Sequence, residues 1–212
     1  TLRGSELEAP AARRVSWIPG LAFTPTLDGD VLVWSQLVGA ERRLAGLRWG
    51  GNATLLTLAG PNVLDTEPQA ADGRVAWRSE TRTAPASDPS SRSMGQRIMA
   101  AELRVGLLQG RNLTQPGPHD APTIGGPWVG WREEGDAPGF VALNLATGAL
   151  QRMPAPVRSA MLSATHVVVV PADGSPMQAR AWSDASGKAW APGPAAPLSL
   201  ALLLAAALAR RK

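Results

Sequence analysis

The side chains able to do chemistry are few. His119 lies in the turn-like run Pro116-Gly-Pro-His119-Asp120, and His166 leads the four valines Val167 to Val170. Zinc takes three or four closely spaced nitrogen, sulfur or carboxylate ligands, and neither histidine has companions nearby in sequence. A loop position and a strand-end position account for both. Glu133, Glu134 and Asp136 form an acidic run after a strand-like segment. They offer oxygen ligands for calcium without the EF-hand spacing, and a solvated hairpin turn explains them as well. No Gly-x-Ser-x-Gly occurs, so a nucleophile elbow has no support. The absence of Cys removes thiolate ligands, disulfides and a cysteine nucleophile together. No cofactor, metal or catalytic residue is therefore expected.

Recognition has better material. The chain holds 8 Trp against 2 Phe and no Tyr. Trp34, Trp77 and Trp131 recur at equivalent places in a repeat, which packing explains. Trp49, Trp128 and Trp190 fall outside that pattern and are the candidates for a sugar- or peptide-binding face, because aromatic anchors dominate binding patches. Asn52-Ala-Thr54 and Asn112-Leu-Thr114 fit the N-glycosylation acceptor sequence, an expectation suited to an exposed extracytoplasmic protein.

The elements that must position these residues follow from the repeat. Pro25 to Trp34, Pro68 to Trp77 and Pro122 to Trp131 each run proline, eight residues, tryptophan, with a glycine turn between and a valine two or three places before the Trp. The proline is expected to end a loop and fix the chain as extended. The Asp-Gly or Gly-Gly pair is expected to make a tight turn, and the valine–tryptophan run to enter a strand of period two. Further strand patterns follow over 44–58, 98–113 and 140–153. A weaker fourth unit runs from Val157 through His166 to Trp182 and Trp190, with Val169 where the tryptophan would stand. The prolines are 43 and 54 residues apart, and a four-stranded propeller blade needs roughly 40–45 residues. The Pro- and Ser-rich stretch 83–95 accounts for the longer interval as a hairpin excursion.

Leu56-Thr57…Pro68…Gly73…Val75-x-Trp77 and Leu113-Thr114…Pro122…Gly126…Val129-x-Trp131 resemble the repeat of the Tol B-like and WD-type β-propellers of bacteria and archaea. The resemblance covers about residues 25–190 and implies an all-β fold of about four blades. That count is the lower limit for closure and points to a piece of a longer propeller. Residues 1–24, with Val15-Ser-Trp17, are expected to end a preceding blade. The chain opens on Thr1, so a truncated or processed start is expected and a missing leader decides nothing.

Residues 191–212 change character. A Pro-rich hinge, 191–197, leads into an uncharged run containing Leu198, Leu200, Leu202, Leu203, Leu204 and Leu208, and Arg210-Arg-Lys212 ends the chain. Pro197 suits the first turn of a helix. Twelve residues make about 18 Å of helix against a hydrocarbon core of about 30 Å, and snorkelling basic groups recover part of the difference. This hinge, helix and basic tip resemble the PGF-CTERM and PEP-CTERM sorting signals, although Pro192-Gly-Pro194 matches neither motif. The resemblance implies a membrane anchor or sorting signal, with the basic tip cytoplasmic and the body outside. A buried C-terminal helix is the alternative.

The net charge is +4, but residues 1–209 carry 18 basic and 17 acidic groups. So neutral a body offers no footprint for nucleic acid. The 19 Arg against 2 Lys look like GC-rich prokaryotic coding. The expected protein is an extracytoplasmic, surface-attached β-propeller that binds a protein, peptide or carbohydrate or serves as structure. The alternative is a hydrolase or lyase with its active site on the propeller face or in a further N-terminal portion.

Overall fold

Each valine–tryptophan run alternates sides as a pleated strand must, and the turns on either side force the chain to double back on itself. The computed structural model describes residues 20–182, apart from 40, 49–50, 58–61, 86–87, 104–105, 135–137 and 154–155. Every regular element among the described residues is a strand. The first meander comprises β1 (Leu21–Asp28), β2 (Val31–Val38), β3 (Glu41–Arg48) and the short β4 (Thr54–Leu55). The second comprises β5 (Val63–Ala71), β6 (Arg74–Arg82), β7 (Ser93–Glu102) and β8 (Arg111–Asn112). The third comprises β9 (His119–Gly125), β10 (Trp128–Glu133), β11 (Gly139–Asn144) and β12 (Leu150–Met153). The fourth has β13 (Val157–Leu162), β14 (His166–Pro171) and β15 (Gln178–Ala181).

Within a meander, each strand pairs antiparallel with the next. One parallel pair, Arg42 with Leu64, stitches the first meander to the second. The first strands pack on one another in order, β1 on β5, β5 on β9 and β9 on β13. The second and third strands of a meander also meet the first strand of the next, β2 and β3 on β5, and β6 and β7 on β9, an arrangement that a propeller-like fan of sheets accounts for. Among the described residues no contact of similar extent joins β13 back to β1.

Apolar layers fill the gaps between sheets. Val33, Leu44, Leu56, Val75 and Trp77 pack between the first and second meanders. Ala76, Ile98, Ile124, Val129, Trp131 and Val141 pack between the second and third. Trp128, Phe140, Val157, Val167 and Val169 pack between the third and fourth. Each repeat tryptophan thus faces the preceding meander, and Val169 does the smaller version of the job in the fourth. Trp34 obeys the same rule on the leading face of the first meander, in a separate cluster with Ala45 and Leu47.

The prolines depart from their expected role. Pro25, Pro68 and Pro122 do not end loops; they lie inside β1, β5 and β9. Ladder register shifts at each of them, between Phe23 and Thr26, between Thr66 and Gln69, and opposite the Gly130–Arg132 step. The residue before each proline has a positive φ: 46° at Thr24, 55° at Glu67 and 48° at Ala121. A bulge leaves one residue without a ladder partner, so a residue lacking an N–H fits there at no cost in pairing.

The repeated Leu-Thr also acquires a physical reason. The Thr57 hydroxyl accepts the N–H of Leu44 at 3.0 Å, and the Leu56 N–H returns to the Leu44 carbonyl at 2.7 Å. Thr114 accepts from Ile98 at 3.0 Å, and Leu113 donates back to Ile98 at 2.8 Å. The pair clasps the end of the chain's outward path to the third strand.

Turns link neighbouring meanders as well. The Asp28 carboxylate accepts the N–H of Gly73 at 2.6 Å, and the Asp72 carboxylate accepts the N–H of Gly126 at 2.7 Å. The third turn has Gly125-Gly126 and no aspartate, because the fourth meander comes too close. A Cβ on Gly125 would lie 2.0 Å from the Leu162 carbonyl oxygen, and one on Gly126 2.5 Å from the Ala164 Cα. Backbone cannot yield cheaply there. Gly125→Ala is expected to cost about 1–3 kcal/mol, a fall of roughly 2–12 °C in the thermal midpoint for a chain of this size. Scanning calorimetry checks this, and an unchanged midpoint would contradict the close approach.

Candidate functional site

The bulges of β5 and β9 lie beside a cluster of charged groups from neighbouring meanders. Arg78 and Arg132 each follow a repeat tryptophan, so both leave β6 and β10 on the side opposite the apolar layer their tryptophan fills. Register sets Arg78 opposite Thr66 and Arg132 opposite Asp120. The Arg78 Nε donates to the Thr66 hydroxyl at 3.2 Å, and its terminal nitrogens reach Glu67 at 2.9 Å and Asp120 at 3.7 Å. Arg132 donates to the other Asp120 oxygen and, at 3.1 Å, to the Arg158 carbonyl in β13. One aspartate therefore holds two guanidiniums from adjacent meanders, the second and third, and Arg132 also reaches the fourth.

Arg42, in β3, extends the group to the first meander. Its guanidinium lies over the Phe23 ring, 4.1 Å from the centroid, a cation–π contact. Burial and then the neighbouring Arg78 hold its pKa below the ordinary arginine value, with Glu67 acting in the opposite sense. Its Nε is buried without a hydrogen-bond partner. Three arginines and two carboxylates, from three meanders, thus share one face. Such an array can hold and orient an anionic group.

The residues expected from sequence to carry function scatter. Trp128 is corrected to a packing residue: it is 5% exposed, and its ring stacks on Trp182 at 4.2 Å and 18° in the layer between the third and fourth meanders. Indole area spent on that layer offers no face to a ligand. Trp49 and Trp190 lie outside the described residues, as do Leu198, Leu200, Leu202, Leu203, Leu204 and Leu208. Among the described residues, no helix is long and apolar enough to cross a membrane. Asn52 is exposed between β3 and β4, with Thr54 also exposed. Asn112 is exposed at the end of β8, but the Thr114 hydroxyl of its acceptor sequence already holds Ile98.

His119 is half-buried, with Nε2 3.0 Å from the Gln115 carbonyl. Burial lowers its pKa, and the Gln115 contact works the other way. His166 is exposed, and its Nδ1 contacts the Thr165 hydroxyl at 2.9 Å. Glu133 pairs with Arg152, while Asp136 lies outside the described residues. Among the described residues, no three His, Cys, Asp or Glu gather as a metal site. A groove between the second and third meanders is lined by Arg74, Glu102, Gln109, Arg111 and Leu145.

Sequence reasoning missed the arginine array. Its only trace in the sequence is the twice-repeated Trp-Arg step, Trp77-Arg78 and Trp131-Arg132, which falls just past the residues that define the repeat.

These sheets define an all-β, β-propeller-like fold. No protein-family model matches the chain, and no curated protein sequence does. Among solved structures the chain is similar to one from a structural and mechanistic study of two prolyl endopeptidases, with a TM-score of 0.50 and 15% identity, covering 82% of this chain. It spans 27% of that chain, and the likeness is to its β-propeller domain. The computationally designed Ika8 protein aligns with a TM-score of 0.47 and 15% identity, over 79% of this chain and 47% of that one.

Proposed function

We propose that the chain is a binding or structural module: a β-propeller held outside the cytoplasm and attached to a membrane or cell surface by residues 191–212. The observation that carries the binding role is the shared face of Arg42, Arg78 and Arg132, assembled from three meanders. Its charged groups are engaged mainly with one another, which is the chemistry of recognition more than of bond-making. The four meanders are read as about four blades of a Tol B-like repeat within a longer propeller. The ligand is a protein, peptide or carbohydrate, with Trp49 and Trp190 kept as further contacts. Asn52 and Asn112 are proposed as glycosylation sites, Asn52 the more accessible of the two. The hydrolase alternative stays second. Prolyl endopeptidase activity belongs to a chain of which this one spans 27%.

Attachment is tested by expressing the full chain, and one ending at residue 190, in the host. The full chain is expected in the membrane or surface fraction, open to added protease, and the shortened chain is expected to be released. A mass loss near Pro192–Pro197 would mark sorting, and an intact tail would mark a simple anchor. Both chains in the cytosol, protected from protease, would overturn the proposal.

A further inference from the structure

The arginine array is not balanced. Arg132 and Arg78 share Asp120, and Arg78 also takes Glu67. Among the described residues, the Arg42 guanidinium has no carboxylate within ion-pair reach and no hydrogen bond; the Phe23 ring covers one face of it, and Glu67 acts on it only from farther away. Arg42, Arg78 and Arg132 against Glu67 and Asp120 leave one positive charge, held on a half-buried side chain that feels both Arg78 and Glu67.

Keeping an arginine half-buried beside a second arginine costs free energy unless an anion compensates it. The guanidinium presents its donors as a planar fork, which matches the two oxygens of a carboxylate. One surplus charge matches a monoanion better than a phosphate group, which carries about −1.5 to −2 at neutral pH. The groove by Arg74 and Arg111 lacks this signature, since it contains Glu102 among its lining residues and Arg74 already donates to the Gly126 carbonyl at 3.2 Å.

We infer that Arg42, backed by Phe23 and flanked by Arg78, is the anchor for a single carboxylate of the ligand, most simply the C-terminus or an acidic side chain of a bound peptide. The inference deepens the binding role proposed above and rests on it.

Arginine Nε resonances report this directly. Full-length protein is titrated with acetate, with N-acetyl-trialanine bearing a free C-terminus, with the same peptide as its C-terminal amide, with the amidated peptide containing a central aspartate, and with inorganic phosphate, all at constant ionic strength. The Arg42 signal is expected to shift and saturate with acetate and with the free-acid peptide. Its apparent affinity for the amide should be at least fivefold weaker. If the aspartate peptide binds as well as the free acid, the source is a side chain; if only the free acid binds, the source is a C-terminus; either supports the inference. Arg42→Gln should abolish the response, and Arg42→Lys, which keeps the charge and loses the fork, should weaken it severalfold. Arg111→Gln should leave it unchanged. Equal responses to acid and amide, stronger binding of phosphate, or an undiminished response in folded Arg42→Gln protein would each overturn the carboxylate anchor. These results are independent of cellular location, so surface attachment can stand when the anchor fails, and the reverse.

Discussion

Trp131→Ala lowers the free energy of unfolding by about 3–5 kcal/mol, the range for emptying a large aromatic from a packed core. Trp131 is 3% exposed and fills the layer between the second and third meanders beside Ile98, Ile124 and Val141. Domains of this size are stable by roughly 5–15 kcal/mol in all, so one such cavity removes a large part. Trp131→Phe is expected to cost much less, because the indole Nε1 has no hydrogen-bond partner. Trp77→Phe should cost more than Trp131→Phe, because the Trp77 Nε1 donates to the Asp65 carboxylate at 3.1 Å. Urea denaturation of the three variants checks the order. Equal costs for the two phenylalanine variants would show that the Trp77 hydrogen bond contributes nothing.

Asp65 is the second sensitive point. It is 4% exposed, between the first and second meanders. Burial raises its pKa, against hydrogen bonds from Thr57, Ser79 and Trp77 and the field of Arg43. The folded state therefore keeps the proton to a higher pH than the unfolded state does. Stability from this group is greatest below the unfolded carboxyl value of about 3.9, and it falls as pH rises through the raised folded value. Asp65→Asn, which is neutral and can still accept from Trp77, should flatten that slope and leave the fold near the stability of the protonated form. Asp65→Ala strands the buried Trp77 donor and the Thr57 and Ser79 hydroxyls, and should cost about 3 kcal/mol. Unfolding midpoints between pH 3 and 7 for the three proteins test both statements. A wild-type slope that survives in Asp65→Asn would assign it to another group.

Much of the fold was legible because a repeat writes its packing rule several times. Proline, glycine turn and valine–tryptophan run mark the first two strands of three meanders, and Val169 marks the fourth through its place alone. The prolines were misjudged because a bulge looks like a loop end in one dimension: both leave a residue without a ladder partner. The site was far less legible. Arg42, Glu67, Arg78, Asp120 and Arg132 meet only because successive meanders pack first strand to first strand, and no local spacing encodes that meeting. Trp128 looked like a spare aromatic because its stacking partner, Trp182, lies in the next meander. Asp28 and Asp72 were readable as turn residues, but their bonds to Gly73 and Gly126 of the following meander were not.

A crystal structure of the full chain puts the fan of sheets to the test. It should show β1, β5, β9 and β13 side by side about one line, with Asp28 on the Gly73 amide and Asp72 on the Gly126 amide. Two sheets laid face to face, with Trp77 and Trp131 sharing one core, would contradict it.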